Sequence, residues 1–341
     1  MKFRQLSDTG VFVSELCLGT MTFGGRGQAI WERIGALDQE AVDGIVHRAL
    51  AAGINFVDTA NVYASGESET MLGKALAGRR HDVVLATKVR GRMGSGANQV
   101  GLSRLHILQA VEASLTRLGT DYIDLYQIHR FDSLTNLEDT LRALDDLVRT
   151  GKVRYIGCSN LAAWQVMKAL AISRDQHLER FRCTQSYYSL VGRELEREMI
   201  PLLKDQGLGL LVWSPLAGGF LSGKFTRAGG SPAGRRAGFD FPPVEKEKGF
   251  AIVDVLQKAA GSHGATVAQT ALAWVLANDA VTSVIIGART VAQLDDNLKA
   301  VDVALTAEEL SALDQVSKPA VEYPAWMDML GSDRRPGERR F

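Results

Sequence analysis

The chain has 341 residues, 46% of them hydrophobic and 23% charged, a balance that supplies a large apolar core and excludes a disordered or low-complexity protein. Its 39 Lys plus Arg offset 39 Asp plus Glu, so no net field draws it to nucleic acid or to an anionic membrane. A small uncharged molecule is the expected partner, with homo-oligomers left open.

The start, MKFRQLSDTG, carries positive charge but no apolar signal segment, and no run of about 18 apolar residues follows anywhere, so a cytoplasmic protein is expected. KFRQL and VFVSE flank Ser7-Asp8-Thr9-Gly10, a hairpin signal that would cover one end of a barrel. Short apolar runs then read as strands at 15–21, 55–60, 83–89, 123–129, 153–159, 182–188, 208–214 and 282–288. Between them, helical spacing appears at 38–52, 67–77, 104–118, 138–150, 161–173, 195–205 and 291–301, with Thr135 and Glu138 offering a capping box. The interval after the seventh strand is long. It holds a Gly-, Pro- and Arg-rich loop at 217–243 and two helices near 245–261 and 266–278. TAEELSALDQVSK after residue 301 reads as one more capped helix, and from 319 the chain is a Pro- and Arg-rich tail.

Eight apolar runs alternating with helices predict an α/β fold with a parallel sheet, and the count favours a closed (β/α)8 TIM barrel over an open doubly wound sheet. The open sheet would also need G-x-G-x-x-G after an early strand, which is missing. No composition break divides the chain, so residues 1–341 are expected to form a single domain whose tail, 319–341, contributes to the substrate site. Cys17, Cys158 and Cys183 each sit in an apolar run, without disulfide or zinc spacing, and read as buried thiols of a reducing compartment.

A barrel places its active site at the C-terminal ends of its strands. There the second strand presents Asp58 with Tyr63 just beyond, the third Lys88 and the fourth His129. Taken singly, these are a turn cap, a wall aromatic, a solvated strand end and a rim histidine; jointly they make chemistry. A phenol is a poor acid near neutrality, with a pKa of about 10, but an adjacent ammonium stabilises its phenolate. Asp58 can hold that ammonium on Lys88, and His129 can donate a hydrogen bond to a carbonyl oxygen. What no side chain supplies is a hydride, so a cofactor must.

These residues, in the contexts DTANVY, ATKV and QIH, resemble the catalytic tetrad of the aldo-keto reductases, and the likeness covers essentially the whole chain. The resemblance implies reduction of aldehydes or ketones to alcohols with NADPH, with no metal. It places Gly19, Thr20 and Met21 beside the nicotinamide ribose, Ser159, Asn160 and Gln185 on the carboxamide, and Trp213 against the nicotinamide ring. It puts Ser214, Leu216 and Gly218 around the pyrophosphate, with Lys224 and Arg236 in a loop folding over the cofactor. At the adenosine it places Gly287, Arg289, Gln293, Asp296 and Asn297, Arg289 being the clamp for a 2′-phosphate at a helix N-terminus. Many members pair Lys-Ser with that arginine; Ala288 and Gln293 stand in comparable positions here, which leaves room for NADH as well. Trp31 and Phe131, with Tyr323 or Trp326 of the tail, are the aromatic candidates for the substrate mouth, an environment suited to carbonyls without a strong anionic requirement.

Two other functions compete. Trp213-Ser214-Pro215-Leu216 and the helix after Gly287 are also similar to the β subunits of voltage-gated potassium channels, which implies an NADP(H)-binding regulatory subunit. Those subunits lack the tetrad's histidine, so His129 favours the reductase. A Schiff-base aldolase built on Lys88 leaves Asn160, Gln185 and Arg289 without a role.

Overall fold

The computed structural model describes residues 1–227, 229–230, 236 and 240–328. Most of the expected loop between 231 and 239, and the tail beyond 328, lie outside the described residues.

The chain opens with β1 (Phe3–Gln5) and β2 (Phe12–Ser14), paired antiparallel with Phe3 opposite Ser14. The turn between them closes through the Leu6 N–H on the Val11 carbonyl at 2.8 Å and is left-handed at Ser7 and Gly10. Then come β3 (Leu16–Gly19), β4 (Phe56–Asp58), β5 (Val84–Val89), β6 (Ile123–Ile128), β7 (Val153–Ser159), β8 (Phe181–Tyr187) and β9 (Gly209–Trp213). A two-residue hairpin, β10 (Phe225–Thr226) with β11 (Gly229–Gly230), interrupts them, and β12 (Val281–Ile286) is last. The other eight strands pair in parallel and close in the order β12-β3-β4-β5-β6-β7-β8-β9, which is the TIM barrel the sequence predicts.

Strand alternation sorts the side chains. Outward residues such as Leu18, Val57, Tyr126, Ile128 and Val212 join the core between barrel and helices. Inward residues Cys17, Phe56, Ala86, Leu125, Cys183 and Leu211 form a second core inside the barrel, closed at its N-terminal end by Leu6 and Val13 of the hairpin. Two residues further along the same strands stand Asp58, Lys88, Gln127, Gln185 and Trp213. An apolar layer therefore lies directly beneath a polar one, as the layered interior of a barrel allows. All three cysteines are buried and free.

The observed helices Gln39–Ala51, Glu67–Ala75, Arg104–Leu118, Leu137–Arg149, Ala163–Asp175, Met199–Gln206 and Val291–Leu298 match the predicted ones within a few residues. The added helices Lys246–His263, Val267–Leu276 and Ala307–Ser317 also fall where periodicity places them. One cap differs. Asn136, not Thr135, caps Leu137–Arg149, accepting from the Glu138 N–H at 2.9 Å, because the Thr135 hydroxyl is bonded to Asp132 at 2.8 Å. Short elements were not anticipated, among them the helix Ala29–Ile34 in the loop after β3, the β10–β11 hairpin and the helix Ala325–Asp328; each is shorter than a hydrophobic period can reveal. No described helix is long and apolar enough to cross a membrane.

Candidate active site

Lys88 is fully buried near the end of β5, and its ammonium is the hub of the site. Nζ donates to Asp58 Oδ1 at 2.5 Å, to the Thr59 carbonyl at 2.8 Å and to Tyr63 Oη at 3.4 Å. Burial opposes its charge, but the Asp58 carboxylate, and after it the Tyr63 hydroxyl, outweigh that and hold Lys88 above the usual lysine range. The group is thus a permanent cation in contact with a phenol, and not the neutral amine that Schiff-base chemistry requires.

Asp58 is 2% exposed and fully committed. Besides Lys88 it accepts from Gln127 Nε2 at 3.0 Å and Gln185 Nε2 at 2.8 Å, both on Oδ2. Gln127 had no assigned role in the sequence. Its signal was the two-residue step to His129, which puts both side chains on the inner face of β6.

Tyr63 begins a tight 3-10 turn, Tyr63–Gly66, in which Ala64 and Ser65 are left-handed. Its ring is bracketed edge-on by Trp31 at 6.0 Å and His129 at 5.9 Å. Trp31 comes from the short helix Ala29–Ile34, and the backbone of Gly25 passes so close that a Cβ there would lie 2.3 Å from Trp31 Cβ. The backbone N–H of His129 donates to the Val89 carbonyl at 2.9 Å, tying the rims of β5 and β6 together. Burial, then the positive charges of Lys88, Arg130 and Arg90, push its imidazole down to about 3. At neutral pH His129 is therefore an uncharged ring with one N–H to donate.

On the opposite rim the expected cofactor residues form a connected set. Ser159 Oγ donates to the Gln185 carbonyl at 2.8 Å. Asn160, left-handed at φ 57°, donates to the His129 carbonyl at 3.0 Å and to Ser159 Oγ at 2.9 Å, and accepts from Trp213 Nε1 at 3.0 Å. The Trp213 ring lies nearly parallel to Phe241 at 5.9 Å. After β9 the chain is left-handed at Ser214, at the three successive residues Ala217, Gly218 and Gly219, and at Gly223. A Cβ on Gly218 would lie 2.4 Å from the Phe241 carbonyl, so the turn needs glycine there. Lys224 is exposed at the end of this turn. Arg236 is buried, donating to the carbonyls of Ala217 at 2.7 Å and Pro242 at 2.9 Å and pairing with Asp240, so it braces the loop from within.

Gly19 and Thr20 are buried at the end of β3 and Met21 is half-buried beside them. Thr20 shares a hydroxyl contact with Ser68 at 2.9 Å. Past β12, Gly287 is exposed with open space where a side chain would be. Arg289 Nε donates to the Ile34 carbonyl at 2.9 Å, Nη2 reaches the Arg33 carbonyl, and its backbone N–H donates to Gln293 Oε1 at 2.9 Å. Arg289 also edges a cleft of about 420 Å³ shared with Asp38 and Glu40. Asp296 accepts from Gln269 Nε2 at 2.7 Å, and Asn297 donates to the Gly287 carbonyl at 3.4 Å. Phe131 pairs with Trp164 at 6.3 Å on the β6–β7 side of the rim. Tyr323 and Trp326 contact each other at 5.8 Å and are exposed; Glu322 beside them pairs with Arg197 at 2.7 Å. Among the described residues no cluster of His, Cys, Asp or Glu is arranged to hold a metal.

The sequence pattern of the Aldo/keto reductase family matches residues 15–318. Similar curated proteins include the uncharacterized oxidoreductase YrpG of Bacillus subtilis (strain 168), 40% identical over 96% of this chain and 100% of that one. Versiconal hemiacetal acetate reductase of Aspergillus parasiticus is 37% identical, covering 95% of this chain and 99% of its own. A protein of Arabidopsis thaliana named "Probable voltage-gated potassium channel subunit beta" is likewise 37% identical, over 94% and 98%. With a barrel of this topology and a family match over nearly its whole length, the chain belongs to the aldo/keto reductase family.

Proposed function

We propose that the protein reduces small aldehydes or ketones to alcohols with NADPH, Tyr63 acting as the general acid. The observation that carries this is Lys88 Nζ lying between the Asp58 carboxylate and the Tyr63 hydroxyl, an arrangement with no structural need at a barrel rim. The dinucleotide, when bound, supplies the hydride that no side chain can.

The chain's own residues do the rest. Tyr63 gives its proton to the carbonyl oxygen, and the Lys88 cation stabilises the phenolate left behind. Asp58 keeps that cation in place, itself fixed by Gln127 and Gln185. Neutral His129 donates its N–H to the same oxygen and sets which way the carbonyl points. Trp213, with Ser159, Asn160 and Gln185, would hold the nicotinamide end beside Gly19, Thr20 and Met21. Ser214, Leu216, Gly218, Lys224 and the loop braced by Arg236 would hold the pyrophosphate. Gly287, Arg289, Gln293, Asp296 and Asn297 would hold the adenosine, and Trp31 and Phe131 the substrate. Three buried free thiols fit a reducing, cytoplasmic setting.

The test is a titration of tryptophan fluorescence with NADPH and NADH, followed by absorbance at the nicotinamide band with an aldehyde panel. Quenching with aldehyde-dependent oxidation supports the reductase. Binding without turnover would favour the regulatory reading suggested by the plant channel-subunit relative, and no binding would remove both.

A further inference from the structure

Two arginines stand one and two residues beyond the ends of β5 and β6, the strands that lead to Lys88 and His129. Arg90 directly follows Val89, the last residue of β5, and Arg130 directly follows His129 past the end of β6. The Val89–His129 backbone bond of 2.9 Å makes them neighbours. Other described arginines are engaged, among them Arg80 with Asp124, Arg117 with Glu69, Arg193 with Glu196 and Asp314, and Arg289 with two carbonyls. Among the described residues, Arg90 and Arg130 are the two whose guanidinium groups make neither a hydrogen bond nor an ion pair, and Arg90 Nε is buried in that condition.

We propose that Arg90 and Arg130 form an anion-recognising subsite of the substrate mouth, so that the preferred carbonyl substrate carries a carboxylate a few atoms from its carbonyl. Arg90 is held there under strain, with φ at 120°, a value that side-chain-bearing residues rarely adopt, and its carbonyl is fixed by the Gly101 N–H at 3.1 Å. Asp132, the nearby acid, does not quench the pair by contact. Its carboxylate accepts from the Leu102 N–H at 2.8 Å, the Leu134 N–H at 3.2 Å and Thr135 Oγ1 at 2.8 Å. The two guanidinium groups sense each other and the histidine: burial and then the Arg130 charge push Arg90 below the usual arginine range, against Asp132, and both arginines help depress His129.

The pair serves the substrate and not the cofactor because of its place in the barrel. In the closed order β5 and β6 stand across from β9 and β12, whose following segments are the proposed phosphate sites. The neighbouring Phe131–Trp164 pair gives an apolar wall, so the ligand class is an aromatic or alkyl aldehyde acid, bound by bidentate charge-assisted bonds. This proposal departs from the expectation of a mouth without a strong anionic requirement, and it rests on the reductase reading.

The experiment compares kcat/KM for 4-carboxybenzaldehyde and benzaldehyde with NADPH in the native protein and in Arg130→Gln, Arg90→Gln and Arg130→Lys. The ratio of acid to neutral substrate should fall about tenfold in each Gln variant, with Arg130→Lys keeping part of it. Arg130 is exposed, so its variants test the idea even if Arg90→Gln fails to fold. Turnover of both aldehydes with an unchanged ratio would overturn the subsite alone. No turnover of either by the native protein would remove the reductase reading and the subsite with it.

Discussion

His129 has the least ordinary environment of the four catalytic candidates. Burial and three cations hold its imidazole at about 3, so it is neutral wherever the enzyme is folded and working. In the proposed mechanism it serves as a donor that needs no protonation event, and Tyr63 is the group that gives up a proton. The pH dependence of kcat/KM should show no limb at the ordinary imidazole value of 6.5. A limb there that vanishes in His129→Asn would mean the histidine titrates during turnover. At this scale the four candidates were legible because Asp58, Lys88 and His129 fall at or just past strand ends, with Tyr63 in the turn after β4, in an uncommon combination of residue types. The partners were less so: Gln127 and the two unpaired arginines are ordinary residues whose roles depend on which neighbours the barrel brings within reach.

Single elements carry the site through buried polar contacts. The helix Glu67–Ala75 follows directly on the Tyr63 turn, and its fully buried Glu69 accepts from Thr87 Oγ1 at 2.6 Å and from Arg117 Nε at 2.7 Å. Thr87 is the outward neighbour of Lys88, so Glu69 clamps the helix carrying Tyr63's turn to the strand carrying the lysine. Removing one partner of such a pair strands the other, and Glu69→Ala should cost about 2–4 kcal/mol. Denaturant unfolding measures this, with a change under about 0.5 kcal/mol contradicting the clamp. The strands themselves were readable as near-continuous apolar runs, since a barrel strand is covered on both faces. Caps and short elements were not. Thr135 and Asn136 are both competent caps, and only Asp132, brought close by the preceding turn, decides between them.

Across the whole molecule, the proposed cofactor path runs from Trp213 on β9 to Arg289 after β12, and the loop after β3 is strapped over its far end. Thr22 Oγ1 donates to the Ala288 carbonyl at 2.9 Å, and Arg289 holds the carbonyls that end the helix Ala29–Ile34, the helix that carries Trp31. The sequence indicated a phosphate clamp at Arg289 by resemblance; that this side chain also anchors the loop bearing an aromatic of the mouth needed three dimensions. Arg289→Ala should weaken NADPH binding about tenfold while changing NADH less, because one charge-assisted contact to a 2′-phosphate is lost. Equal losses for both cofactors in a calorimetric titration would assign Arg289 to loop anchoring alone.

The most direct measurement is turnover and cofactor binding in Tyr63→Phe. Phe keeps the ring between Trp31 and His129 and removes only the hydroxyl beside Lys88. NADPH should still quench tryptophan fluorescence with native affinity, while aldehyde reduction falls by about 10²–10⁴-fold. Reduction within a few-fold of the native rate would contradict Tyr63 as the acid.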